Sequence, residues 1–199
     1  MKNARLYVLG VAALVLVSAC AKAPQEEINA TKASIEVLTS SGVEKFAPED
    51  AKNFNSQMDA INQEIKAQDD KFFKDYDKAK QMLVQLKTET DGFKPKLDQI
   101  KEQMKNDANT ALNDANLAIT DAKGLLDNAP VGKGSKADIE AMKMDLKALE
   151  ESLPEVQNTI NSEDYSVAIE KANTIKAKAG EISAAVQAAM EKMKVGKKK

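Results

Sequence analysis

The chain of 199 residues has no histidine, no tryptophan and a single cysteine, Cys20. Without histidine it lacks the side chain that most often serves as general base and as neutral metal ligand. With one cysteine it can form neither an intrachain disulfide nor a cysteine-ligated zinc site, so its stability has to come from packing. Glycine and proline are sparse, at 8 and 5 residues, and aromatics make up 4% of the chain. The longest apolar run, Leu6 to Val17, is twelve residues, short of the roughly 20 that a membrane-spanning helix needs. What remains is dominated by Ala, Lys, Glu, Asp and Gln, the composition of long helices.

The short apolar run has a different meaning. Lys2 and Arg5 form a positive n-region, Leu6 to Val17 an apolar h-region, and Val17-Ser18-Ala19 supplies small residues directly before Cys20. This arrangement resembles the signal of the bacterial lipoprotein family. The resemblance implies cleavage between Ala19 and Cys20, diacylglycerol on the Cys20 sulfur, and acylation of the new N-terminus. Residues 1–19 are then a cleaved signal and residues 20–23 a tether. The residue after the cysteine is Ala21 and not Asp, which in Gram-negative lipoproteins implies export to the outer membrane, facing the periplasm. Each buried acyl methylene contributes about 0.8 kcal/mol, so two or three chains make a stable anchor where one would be marginal. Cleavage removes Lys2 and Arg5, leaving 27 basic against 31 acidic side chains. That mild acidity argues against nucleic acid as a partner.

Residues 24–194 read as a helical domain followed by a basic tail, 195–199. Ile28, Thr31, Ile35 and Leu38 recur at 3-4-3 spacing between Pro24 and Gly42, predicting a first helix. Pro48, with Glu49 and Asp50 after it, predicts the start of a second, whose stripe is Ala51, Phe54, Met58, Ile61, Ile65, Gln68 and Phe72. Asp75 is expected to cap the next helix, with Tyr76 packed back onto the hairpin. That helix carries Ala79, Leu83, Leu86, Phe93, Leu97, Ile100 and Met104, then Ala108, Ala111, Ala115, Ala118 and Ala122. Gly92 and Pro95 interrupt it chemically, yet the stripe keeps its phase across them, which predicts a kinked continuous helix. After a loop at 129–135, Ile139, Met142, Leu146, Leu149, Leu153, Val156 and Ile160 mark a fourth helix, with Pro154 as a kink. Ala168, Ala172, Ile175, Ala179, Ile182, Val186, Ala189 and Met193 mark the last.

Met58, Ile61 and Ile65 repeat as Leu146, Leu149 and Leu153 at an offset of 88, and Asp75-Tyr76 repeats as Asp164-Tyr165 at 89. The fold class expected is all-α, an elongated antiparallel bundle of heptad-patterned helices built from two repeated hairpins, 48–128 and 136–194. Phe46-Ala47-Pro48-Glu49, Lys74-Asp75-Tyr76 and Glu163-Asp164-Tyr165 resemble a family of small helical bacterial lipoproteins with no defined activity. The resemblance covers most of Ile28 to Met193.

No motif carries catalysis. Gly132-Lys133-Gly134-Ser135 lacks the residues of a phosphate loop, since Asp127 stands where its first glycine belongs and Ser135 does not follow the lysine directly. Asn106-Asp107-Ala108-Asn109 and Asn113-Asp114-Ala115-Asn116 stack carboxylates one heptad apart, but a helix face does not converge the six oxygens that calcium requires. Catalytic, metal-binding and cofactor-binding residues are therefore expected to be none, and the only sites are Cys20 for lipidation and Ala19-Cys20 for cleavage. The function expected is that of a non-enzymatic envelope lipoprotein, a scaffold or adaptor. The alternative is a periplasmic carrier or chaperone that holds an apolar ligand or client between its helices, along Phe54, Phe72, Phe73, Tyr76 and Phe93. Candidate partners are the membrane through Cys20, another envelope protein, a second copy along the alanine seam, and peptidoglycan. The last follows from Lys192, Lys194, Lys197, Lys198 and Lys199, a lysine-rich end similar in plan to the murein lipoproteins.

Overall fold

In the computed structural model, residues 22–129 and 136–196 are described, and among them there are six helices and no strand. They are α1 (Gln25–Ser40), α2 (Val43–Phe46), α3 (Pro48–Asp69), α4 (Asp77–Asp127), α5 (Lys136–Asn161) and α6 (Tyr165–Gly196). The fold is an all-α helical bundle. Its core consists largely of the sequence-derived stripes: Ile61, Leu83, Leu86, Leu97 and Val156 are all but inaccessible to solvent. Burying each such side chain contributes roughly 1.5–3 kcal/mol.

The chain divides into two compact units, residues 1–100 and 101–199. The division falls inside α4; the sequence marks one helical domain over 24–194, with a hairpin on either side of the 129–135 loop. The reason is that α4 is one helix of 51 residues whose two halves carry separate buried series. In the first unit, Glu64 pairs with Lys78, Gln57 with Glu89 and Asp50 with Lys96, so α3 descends as α4 ascends. Phe54 and Phe93 meet edge to face across the same pair of helices, with centroids 5.3 Å apart. Thr31 Oγ1 donates to the Leu83 carbonyl at 3.1 Å, and Ser34 bonds the Asp91 carboxylate further along, so α1 runs parallel to α4. The start of α1 and the α3–α4 turn therefore lie at the same end of this unit.

The second unit repeats the arrangement. Lys101 pairs with Glu163 and Lys176 with Asp114, so the C-terminal half of α4 runs parallel to α6. α5, joined to α6 by the short turn at 162–164 and linked to it by Glu155 and Lys171, runs back antiparallel. The buried ladder of the first half of α4 is Ala79, Leu83, Leu86, Thr90, Phe93 and Leu97. It maps onto Ala168, Ala172, Ile175, Ala179, Ile182 and Val186 of α6 with a constant offset of 89. Thr31 and Leu38 of α1 map onto buried Ile119 and Leu126 at 88. Each repeated hairpin thus carries a third helix, with α4 closing the first copy and opening the second.

Four local features differ from the stripe reading. Helix α3 ends at Asp69, so Phe72 leaves the seam and lies in the turn, 88% exposed. At the alanine series the buried position passes from Ala118, half-buried, to Ile119. Between Ala79 and Leu126 the stripe takes thirteen steps in 47 residues, about 3.6 per step, the period of a straight helix and not the 3.5 of a supercoil. Gly42, expected to stop α1, also turns the chain into the four-residue α2 with φ +87°. Finally, Tyr76 and not Asp75 holds the cap position of α4: the Tyr76 carbonyl accepts the first helical bond, from Lys80 N–H at 2.8 Å. The Asp75 carboxylate instead accepts the Asp77 N–H at 2.9 Å, an Asx turn that leads into the helix.

Gly92 and Pro95 sit within the unbroken α4, and Pro154 within the unbroken α5. Both prolines are exposed, as are Asp91 and Glu150, whose carbonyls lose their helical donor. Those carbonyls are therefore on the solvent side, where losing an intrahelical bond costs least.

Candidate functional site

Ala19 and Cys20, the two residues that carry the expected processing and lipidation, lie outside the described residues. So do most of the 129–135 loop and Lys197 to Lys199. The described chain begins at Lys22, and α1 opens with Pro24 at its cap position and Glu26 and Glu27 in its first turn. Among the described residues no helix is long and apolar enough to cross a membrane.

At the end of the first unit where α1 begins, the α3–α4 turn forms a defined structure. Tyr76 is buried, and its hydroxyl donates to the Asp69 carboxylate across the turn. That bond, together with burial, pushes the phenol up to about 12. Lys74 lies 3.8 Å from the same carboxylate. On the outer side of this locked turn Phe72 and Phe73 project at 88% and 76% exposure, edge to face with centroids 5.0 Å apart. Of the five aromatics expected along an apolar groove, Phe54, Phe93 and Tyr76 are instead core, and the other two are outside it.

The second unit carries an open cleft of about 550 Å³ between α5 and α6. Leu149, Val156, Val167 and Ile175 supply its apolar lining; Glu155 and Lys171, paired at 2.7 Å, stand at its edge. Two hydroxyls in its lining, Ser152 and Thr174, bond backbone carbonyls of their own helices and do not point into it as donors. A sequence stripe reports only which side of a helix is apolar. That Leu149 and Leu153 are merely half-buried is a property of how α5 and α6 meet, and no sequence signal marks it.

The shifted groups move away from neutrality. Lys78 and then Gln68 hold the Glu64 carboxyl below its usual range; Gln85 and Gln57 do so for Glu89, Lys87 and Ser34 for Asp91, and Lys171 for Glu155. General acid–base catalysis at neutral pH works best with groups tuned toward 7, and none of these is so tuned. The stacked acidic motifs are used structurally. Asp107 accepts from Gln103 at 2.8 Å and Asp114 from Lys176 at 2.8 Å, so one faces its own helix and the other ties α4 to α6. No group of three or more potential metal ligands occurs among the described residues. The chain matches no family model, no curated protein and no solved structure.

Proposed function

We propose that the protein is a bacterial envelope lipoprotein: a helical bundle held at a membrane by acyl chains on Cys20, acting as a non-enzymatic scaffold or adaptor. The observation that carries this reading is the signal from Met1 to Cys20 followed almost at once by folded structure. Only Ala21 to Pro24 separate the acylated cysteine from α1. Five residues span at most about 17 Å, so the first unit is held close to the headgroups and does not range through the compartment. The side chains offer hydrogen bonds, ion pairs and apolar surface, which is the chemistry of binding. An outer-membrane address, facing the periplasm, belongs to the same reading through Ala21. Replacing Cys20 by Ala is expected to move the protein from the membrane pellet to the soluble fraction with its helicity unchanged; a Cys20→Ala protein that stays with the membrane overturns the reading.

The α5–α6 cleft supports a second reading, a carrier for an apolar ligand or client. Its lining is apolar at Leu149, Val156 and Ile175, and Val167 is 47% exposed beside them. Native mass spectrometry of protein from its own host separates the two. A co-purifying lipid that is lost on Val167→Asp favours the carrier; bare protein favours the scaffold.

A further inference from the structure

We infer that Phe72 and Phe73 form a second, non-covalent membrane contact, inserting into the headgroup layer of the membrane that holds the Cys20 acyl chains. The inference rests on the lipid-anchor reading. What the structure adds to it is a direction.

Two independent observations meet at one end of the first unit. The pairings of Thr31 with Leu83 and of Ser34 with Asp91 make α1 parallel to α4, which places the start of α1 beside the α3–α4 turn. The tether therefore delivers the membrane to that turn, through at most about 17 Å of chain from Cys20 to Gln25. At that turn stand the two most accessible large apolar side chains among the described residues, Phe72 and Phe73. Two adjacent aromatic rings left in water are costly, and the turn does not need them to close: Asp69 has ended α3, and the Tyr76 hydroxyl bonded to Asp69 ties the two helices.

The flanking chemistry fits the headgroup layer in particular. Lys71 and Lys74 bracket the rings. Lysine stems can lie along apolar surface while their ammonium groups stay among phosphates, the usual accompaniment of interfacial insertion. Asp70 and Asp75 stand on either side of this four-residue segment, so the tip has no excess positive charge. The rings drive the contact, and it should be nearly the same on zwitterionic as on anionic lipid. A phenylalanine side chain taken out of water is worth about tenfold or more in partitioning. That is too little to hold the protein alone, and enough to orient a protein already tethered by acyl chains.

The absence of tryptophan makes the test clean. Phe72→Trp in the full acylated chain, reconstituted into phosphatidylethanolamine–phosphatidylglycerol vesicles, is the sole indole. Val37→Trp serves as control: Val37 is 54% exposed on the same unit but twelve residues, about 18 Å, along α1 from its start. With lipids brominated near the top of their acyl chains, Phe72→Trp is expected to shift to the blue and lose most of its emission, while Val37→Trp keeps its own. Acylation is read by mass on the same sample. Acylated protein without quenching at position 72 overturns the insertion and leaves the anchor standing. A blue shift without quenching means that a second copy or another protein covers the rings, and it also overturns the proposal. Absence of the acyl mass overturns the anchor, and the inference falls with it.

Discussion

At the level of single residues, the α3–α4 turn shows how much one hydrogen bond decides. Tyr76 is an aromatic placed where a chain reversal must be sealed, and its hydroxyl reaches Asp69 seven residues back. A phenol that donates to a carboxylate resists losing its proton, so its pKa is raised from about 10 to about 12. A group whose folded pKa is raised contributes stability that is complete below its unfolded pKa and is lost as pH climbs through the folded one. Stability from this bond is therefore expected to hold up to about pH 10 and to fall between 10 and 12. The carboxylates of Glu64, Glu89, Asp91 and Glu155 have lowered pKa values, so their contributions hold above the ordinary carboxylate range and fade as pH drops below it. Urea midpoints across pH should give a plateau with a fall at each end. Tyr76→Phe should lower the plateau and flatten the alkaline fall; an unchanged alkaline limb would show that Tyr76 is not its source. The packing of Tyr76 was legible in the sequence, because an aromatic between the Asp75 turn and the next helix has little to do but pack back. The exposure of Phe72 was not. The heptad count continues smoothly to it, and nothing in Asp69-Asp70-Lys71 announces that the helix has ended.

Helices here end in two ways that strain places under opposite signs. Gly42 adopts φ +87°, and a Cβ built on it would stand 3.1 Å from the Phe46 ring. Gly42→Ala combines a left-handed backbone with a clash, and is expected to cost about 1–2 kcal/mol. At the end of α5, Asp164 N–H reaches back to the Thr159 carbonyl at 3.0 Å and Glu163 N–H to that of Ile160 at 2.9 Å. This is a Schellman closure, in which the residue after the cap is usually glycine. The chain places Glu163 there at φ 61°, the one positive φ outside glycine among the described residues. Its carboxylate pairs with Lys101 at 3.4 Å, an exposed bridge worth under about 1 kcal/mol. Glu163→Gly is therefore expected to raise stability by up to about 1 kcal/mol. Thermal melts of the two variants check both signs, and a destabilised Glu163→Gly would mean that the Lys101 pair outweighs the backbone strain. The stripes made the long helices legible, α4 through Gly92 and Pro95 included. The short α2 was not, since four residues carry no periodicity.

Across the whole molecule, the repeat was half legible. An offset of 88 to 89 is visible in Met58, Ile61 and Ile65 against Leu146, Leu149 and Leu153, and it marks two hairpins. What completes each copy is a third helix: α1 in one, the C-terminal half of α4 in the other. Thr31 stands for Ile119 in that comparison, and the polar residue hides the match in sequence. Its hydroxyl is buried and satisfied by the Leu83 carbonyl at 3.1 Å, so a threonine does the work of an isoleucine there. Two copies with separate cores should behave as separate cooperative units even though α4 belongs to both. Leu83 is fully buried in the first unit, and Leu83→Ala is expected to cost about 2–5 kcal/mol there. Native-state hydrogen exchange then reads where the loss is felt. Amides of α1, α3 and the first half of α4 should exchange faster by the corresponding factor, while those around Val156, Ile160 and Ala172 keep their protection. Equal acceleration in α5 and α6 would mean that the chain unfolds as one body.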